Sequence, residues 1–285
     1  VKRFTLILFL LAPLAHAAPL QAVGAENQYA DIISQIGGPY VTVTAIESNP
    51  NTDPHSFELT PAIAATIANA QLVVENGLGY DDWADKFLAA TQTSTRKTIN
   101  VQHLLNLPDS TPNPHLWYDP ATMPAVATTI ATDLAALDPA HAAYFRAQDQ
   151  KFAASLTREA EAVQKFKAKY AGTKIAVTEP VSNDLLEALG LTIVTPASLQ
   201  NAIMNGTDPA PQDISLQNSL LTSHTAKIFV YNEQVTDPLT DSFLALAQQN
   251  HTPVVGVYET MPTPGYNYQS WMLSEINALT TALNP

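Results

Sequence analysis

At 285 residues, with 26 acidic side chains against 13 basic ones and a formal net charge of −13, the chain repels nucleic acid and anionic lipid and draws cations toward any carboxylate-lined cleft. It has no cysteine, which excludes disulfides, thiolate metal sites, cysteine nucleophiles and a lipid-acylated cysteine. Stability must come from a packed core, and a chain of this length with 46% apolar residues suits two α/β-sized lobes better than one.

The chain opens VKRFTLILFLLAPLAHAAP. Lys2 and Arg3 precede an apolar run from Phe4 to Leu14, broken only by Thr5 and Pro13, and Ala15-His16-Ala17 follows. A charged start, a short apolar stretch and closing small residues predict a secretory signal over residues 1–17, removed after Ala17. The run is shorter than the roughly 18 apolar residues that a membrane-spanning helix needs. No membrane insertion is expected, and the periplasm of a Gram-negative cell is the expected location. Loss of Lys2 and Arg3 leaves 11 basic against 26 acidic residues, a formal charge of −15.

Runs rich in β-branched residues then recur, each followed by a turn-rich segment and a helical pattern: YVTVTAI (40–46), AQLVVENG (70–77), TKIAVTEP (173–180), LTIVTP (191–196), AKIFVYNE (226–233) and TPVVGVYET (252–260). Continuous apolar strands alternating with helices predict an α/β fold, with parallel sheets covered on both faces. Between the early and late strands, residues 138–172 contain no proline after Pro139 and no glycine before Gly172. Asp138 fits an N-cap, Pro139 a first helical position and Gly172 a stop. The pattern predicts one linking helix of about 30 residues, about 45 Å long. It is expected to join an N-terminal lobe at 18–137 to a C-terminal lobe at 173–285.

Ligands collect beyond the carboxyl ends of the strands in open parallel sheets. After YVTVTAI comes NPNTDPHSFELTP (49–61), a proline-stiffened loop that presents His55. A second stiff segment, TPNPHLWYDP, presents His115. Glu179 closes IAVTE and Glu259 closes VVGVYE. Each residue alone is compatible with a solvated loop or a helix cap, but two imidazoles and two carboxylates together fit a divalent transition-metal site. His103, His141, His224 and His251 lack a rigid setting and are expected at the surface. Trp83, Trp117 and Trp271 are expected in structural roles.

The segments VGAENQYADIISQIGG, DPHSFELTP, NGLGYDDW and NPHLWYDP resemble the periplasmic metal-binding receptors of zinc and manganese ABC importers, the cluster A-I or cluster nine solute-binding proteins. The resemblance runs through the rest of the chain. In VTEPVSNDLLEALGL, Glu179 stands eleven residues before Gly190, as the family's third ligand does. In VYETMPTPGYNYQSWM, Glu259 occupies the fourth ligand's place. The chain departs from typical zinc receptors in lacking a His-rich acidic loop and in carrying Glu179 where a third histidine is usual.

The resemblance implies a receptor and not an enzyme: a monomer that holds one Zn2+ or Mn2+, with Fe2+ also compatible, on His55, His115, Glu179 and Glu259. It would pass the ion to the membrane permease of an ABC importer. Asp53, Pro54 and Asn113 would support the ligands or shape their loops. Four side-chain ligands would fill a tetrahedral shell and leave no position for a reacting water. The alternatives are a secreted metallohydrolase, against which the lack of an HExxH or other clustered ligand motif argues, and an adhesin-like protein that a metal stabilises.

Overall fold

The structure, a computed structural model, describes residues 18–54 and 57–284. The expected signal at 1–17 and the candidate ligand His55 lie outside the described residues.

Two four-stranded parallel sheets organise the chain. The first has the order β2-β1-β3-β4, from β1 (Leu20–Glu26), β2 (Val41–Glu47), β3 (Leu72–Glu75) and β4 (Lys97–Asn100). The second has the order β6-β5-β7-β8, from β5 (Lys174–Val177), β6 (Thr192–Ile193), β7 (Phe229–Asn232) and β8 (Val254–Val257). All pairings are parallel, as apolar runs alternating with helices predict; the edge strand β2 alone keeps a Val–Thr alternation, with Val41 buried and Thr42 and Thr44 exposed.

Around the first sheet lie α1 (Asn27–Gly37), α2 (Pro61–Asn69), α3 (Asp82–Ala90), the short α4 (Val101–Leu104) and α5 (Thr122–Leu137). Around the second lie α8 (Asn183–Ala188), α9 (Ala197–Met204), α10 (Pro211–Thr222), α11 (Pro238–Gln249) and α12 (Tyr268–Ala282). The amphipathic faces make the coverage: in α1, Tyr29, Ile32, Ile33 and Ile36 are all fully buried, at the spacing of one helix face.

Where the sequence predicts one helix over 138–172, the structure has a short 3-10 turn at Pro139–His141, then α6 (Ala142–Ser155) and α7 (Thr157–Tyr170). Leu156 interrupts the two. The Ser155 hydroxyl donates back to the Phe152 carbonyl at 2.6 Å and accepts from Gln269 Nε2 at 2.8 Å, and such local side-chain bonding competes with a regular helix. Proline and glycine punctuation carries no trace of this break.

One apolar core runs through both sheets. Leu72 from the first and Ile32 from α1 on its face, Phe145, Phe152 and Phe166 from α6 and α7, and Ile175 and Val230 from the second belong to a single buried cluster, with Trp117 and Trp271 inside it. Polar bonds reinforce the seam. Tyr118 Oη donates to the Tyr258 carbonyl at 2.7 Å, Tyr268 Oη donates to the Trp117 carbonyl at 2.9 Å, and the Asn27 amide both donates to and accepts from the Met261 backbone. The two sheets thus share one core, and side chains of the first half bond backbone of the second across the seam.

Candidate metal centre

The carboxyl ends of both sheets converge on one buried polar site. His115 is delivered by a loop that two polar side chains, Tyr29 and Asn76, hold. Tyr29 Oη donates to Asn76 Oδ1 at 2.7 Å, and Asn76 Nδ2 donates to the Pro114 carbonyl at 2.8 Å. The neighbouring NGLGYDDW turn depends on Gly77, whose φ of +83° is a left-handed conformation and whose absent Cβ would meet Asn100 and Gln102. Asp81 closes that turn by accepting from the Asn76 and Gly77 backbone N–H groups at 2.6 and 2.8 Å. The turn in this way aims Tyr80 into the site.

His115 Nε2 lies 3.2 Å from Glu259 Oε2, both side chains fully buried. Tyr80 Oη donates to the same Glu259 oxygen at 3.0 Å. Gln234 Oε1 accepts from the backbone N–H groups of Glu259 and Thr260 at 2.7 and 2.8 Å, which fixes the segment after β8. Asn232, the last residue of β7, donates from Nδ2 to Glu179 Oε1 and to Glu259 Oε1, each at 2.7 Å. One amide thus engages one oxygen of each carboxylate. The second oxygen of Glu179 is buried and has no hydrogen-bond partner among the described residues, and the second oxygen of Glu259 is the one that faces His115.

Two carboxylates this close repel, so at least one holds its proton more tightly. Burial, and then the charge of Glu259, hold the Glu179 carboxyl well above the usual range, while the Asn232 hydrogen bond pulls it down. The first sheet adds more acid beneath the site. β1, β2 and β3 end on Glu26, Glu47 and Glu75, all buried, and Glu26 and Glu47 are direct partners in the strand register. Burial raises Glu47 to about 8, against the opposing Trp83 Nε1 hydrogen bond at 2.9 Å, with Asp81 and Glu259 adding to the rise. Burial likewise raises Glu75 to about 8, and pushes Glu26 well up with help from Asp81 and Glu47. These buried acids therefore hold protons at neutral pH, and a cation entering the site would displace protons and satisfy the carboxylates.

Of the predicted residues, the structure brings His115 and Glu259 into contact and sets Glu179 one amide away. Among the described residues, no three His, Asp or Glu side chains stand close enough to form a ready-made metal cage. The loop that carries His55 reaches this region: the Thr52 carbonyl accepts from Gln234 Nε2 at 2.8 Å, and Asp53 adds its charge to those acting on Glu47 and Glu179. Asn113 bonds His115, as a supporting residue should. His103, His224 and His251 are exposed. His141 is a correction: it is half-buried, stacked 3.7 Å from the Tyr40 ring and bonded to Asp138 at 2.6 Å, because the 3-10 turn folds it back. Trp117 and Trp271 are core residues and Trp83 supports Glu47.

Sequence reasoning missed Tyr80, Asn232 and Gln234, and the acids Glu26, Glu47 and Glu75. The rule that ligands gather at strand ends finds four of them when it is applied to every strand and to amides as well as acids: Glu26, Glu47, Glu75 and Asn232 are all final strand residues. Tyr80 and Gln234 stand in turns beyond β3 and β7, and only the tertiary fold aims them.

Two α/β lobes with a buried polar site where their strand ends meet define a bilobed binding protein. Residues 23–282 match the family described as zinc-uptake complex component A, periplasmic, and the chain belongs to that family. A putative metal-binding protein of Thermotoga maritima is 32% identical over 124 residues, 42% of this chain and 42% of that one. The match therefore spans about two fifths of that curated relative's length. Among solved structures, the periplasmic zinc-binding protein TroA of Treponema pallidum is similar with a TM-score of 0.76 at 16% identity, over 94% of this chain and 99% of that one. A Mn-bound periplasmic metal-binding protein from Candidatus Liberibacter asiaticus gives 0.73 at 20% identity, over 93% and 99%. At such identities the likeness establishes a shared fold.

Proposed function

We propose that this chain is a periplasmic receptor that captures one divalent transition-metal ion, Zn2+ or Mn2+ with Fe2+ also compatible, and hands it to the membrane permease of an ABC importer. It is a transport receptor and not an enzyme. The ligands are His115 Nε2 and Glu259 Oε2, joined by Glu179 and by His55 from the loop that follows β2. The observation that carries this reading is the meeting of His115 and Glu259 at 3.2 Å, both fully buried and 144 residues apart in the chain.

The donor set fits such an ion. Imidazole nitrogen with carboxylate oxygen suits zinc, manganese and ferrous iron, and the unpartnered oxygen of Glu179 is a buried acceptor that a cation would satisfy. We further read residues 18–137 and 173–285 as the two lobes and 138–172 as their link. The protein acts as a monomer, and the segment ahead of Ala18 is a signal removed on export.

The test is calorimetric titration of the metal-free protein with Zn2+ and with Mn2+, alongside His115→Ala and Glu259→Gln. One ion per chain is expected, with affinity lost in both variants. Wild-type affinity in both variants would overturn the assignment.

A further inference from the structure

We infer that Asp184, on the opposite lobe from His115, is a positioning residue that acts through Asn113 to set which imidazole nitrogen of His115 faces the metal site. The inference rests on reading His115 as a ligand. Asp184 is the second residue of α8, five positions after Glu179, and its Oδ2 accepts from Asn113 Nδ2 at 3.2 Å. Asn113 Oδ1 accepts from the His115 backbone N–H at 3.2 Å and lies 2.8 Å from His115 Nδ1.

The groups at the two ends decide the direction of every bond in this chain. A backbone N–H can only donate and an ionised carboxylate can only accept. Asn113 must therefore turn Oδ1 toward His115 and Nδ2 toward Asp184, because the flipped amide would lose both partners. An acceptor 2.8 Å from Nδ1 requires the proton on Nδ1. The lone pair of the neutral ring is then on Nε2, the atom that faces Glu259, which is where a cation needs it.

Glu179 and Asp184 leave the same loop and helix start, so one C-terminal element supplies both a direct ligand and the constraint on the ligand across the seam. Asn113 and Asp184 line a cleft of about 760 Å³ between the lobes, with Leu107, Leu116, Glu187 and Ile193. The Asp184–Asn113 bond spans that cleft beside the metal site. Moving α8 away from the 112–115 loop would release the amide, and the ring would lose its preference for the metal-ready tautomer. Ligand geometry on one lobe is in this way conditional on the position of the other.

The test combines nitrogen-15 NMR of the His115 ring in metal-free protein with Zn2+ affinity by chelator competition. Wild type should show the Nδ1–H tautomer. Asp184→Asn keeps an acceptor, so its spectrum should match wild type and its affinity should stay within about threefold. Asp184→Ala should mix the tautomers and weaken Zn2+ by about 10-fold, and Asn113→Ala by about 10- to 100-fold, the range for outer-shell changes at metal sites. The double variant should be no weaker than Asn113→Ala, since both substitutions cut one chain. An unchanged ring spectrum in Asp184→Ala and Asn113→Ala, or penalties that simply add, would overturn the inference. Failure of the site reading looks different: His115→Ala would bind Zn2+ like wild type, whatever the tautomer spectra show.

Discussion

Replacing Asn232 by leucine, a side chain of nearly the same shape, removes the bridging amide, together with the bond that its Oδ1 accepts from the Gln234 backbone N–H at 3.0 Å. Asn232 is fully buried and donates to two carboxylates at 2.7 Å each. A hydrogen bond to a charged group contributes about 1.5–3 kcal/mol, so two are worth about 3–6 kcal/mol. Proton uptake limits the loss. Glu179 already holds its proton well above the usual carboxylate range, and a neutral Glu179 leaves one anion uncompensated instead of two. The expected loss in the metal-free protein at pH 7.5 is therefore about 2–4 kcal/mol, or about 4–16 °C in Tm at roughly 2–4 °C per kcal/mol. Saturating Zn2+ supplies the positive charge that the amide lacks, so the deficit should shrink to less than half. The assay is thermal unfolding followed by circular dichroism, with and without metal. A metal-free Tm within 1 °C of wild type, at about the resolution of the assay, or a deficit undiminished in zinc, would refute the idea that Asn232 compensates the paired carboxylates.

His115→Ala should weaken Zn2+ binding by more than the roughly 10- to 100-fold of an outer-shell change, as read by chelator competition; a smaller effect would remove His115 from the ligand set. Glu275, buried on α12 and bonded to Trp271 Nε1 at 3.0 Å, is raised to about 8 by burial. Between about pH 4.5 and 8 the native state keeps a proton that the unfolded state has released, so stability falls as pH rises through that window. Glu275→Gln keeps the acceptor for Trp271 and removes the titration, so its Tm should decline less than wild type from pH 5 to 9; parallel declines would contradict this. Gly24→Ala in β1 would press a Cβ against the backbone N and Cα of Ala30 in α1, at an expected cost of about 1–3 kcal/mol. Urea unfolding checks it, and a shift below about 0.5 kcal/mol would mean that α1 can move aside.

Six of the eight strands are legible as runs rich in β-branched and other apolar residues, each followed by a turn-rich segment, a composition that suits a pleated, at least half-buried surface. Two are not legible: in Lys97–Asn100 only Ile99 is buried, and Leu20–Glu26, though buried from Ala22 onward, fills those positions with small residues and a terminal acid and forms no marked apolar run. Likewise, the break at Leu156 depends on Gln269 reaching Ser155 from α12, a contact 114 residues away that local pattern does not encode. By itself the sequence determined the α/β class and the exposed settings of His103, His224 and His251, and it singled out His55, His115, Glu179 and Glu259 through stiff loops and strand ends. Only the tertiary structure decided that His115 meets Glu259, that Asn232 bridges the carboxylates and that Asp184 reaches Asn113. Periodicity reports which face a residue presents to its neighbours in the chain, whereas these contacts depend on the strand orders that turn the carboxyl ends of two separate sheets toward one another.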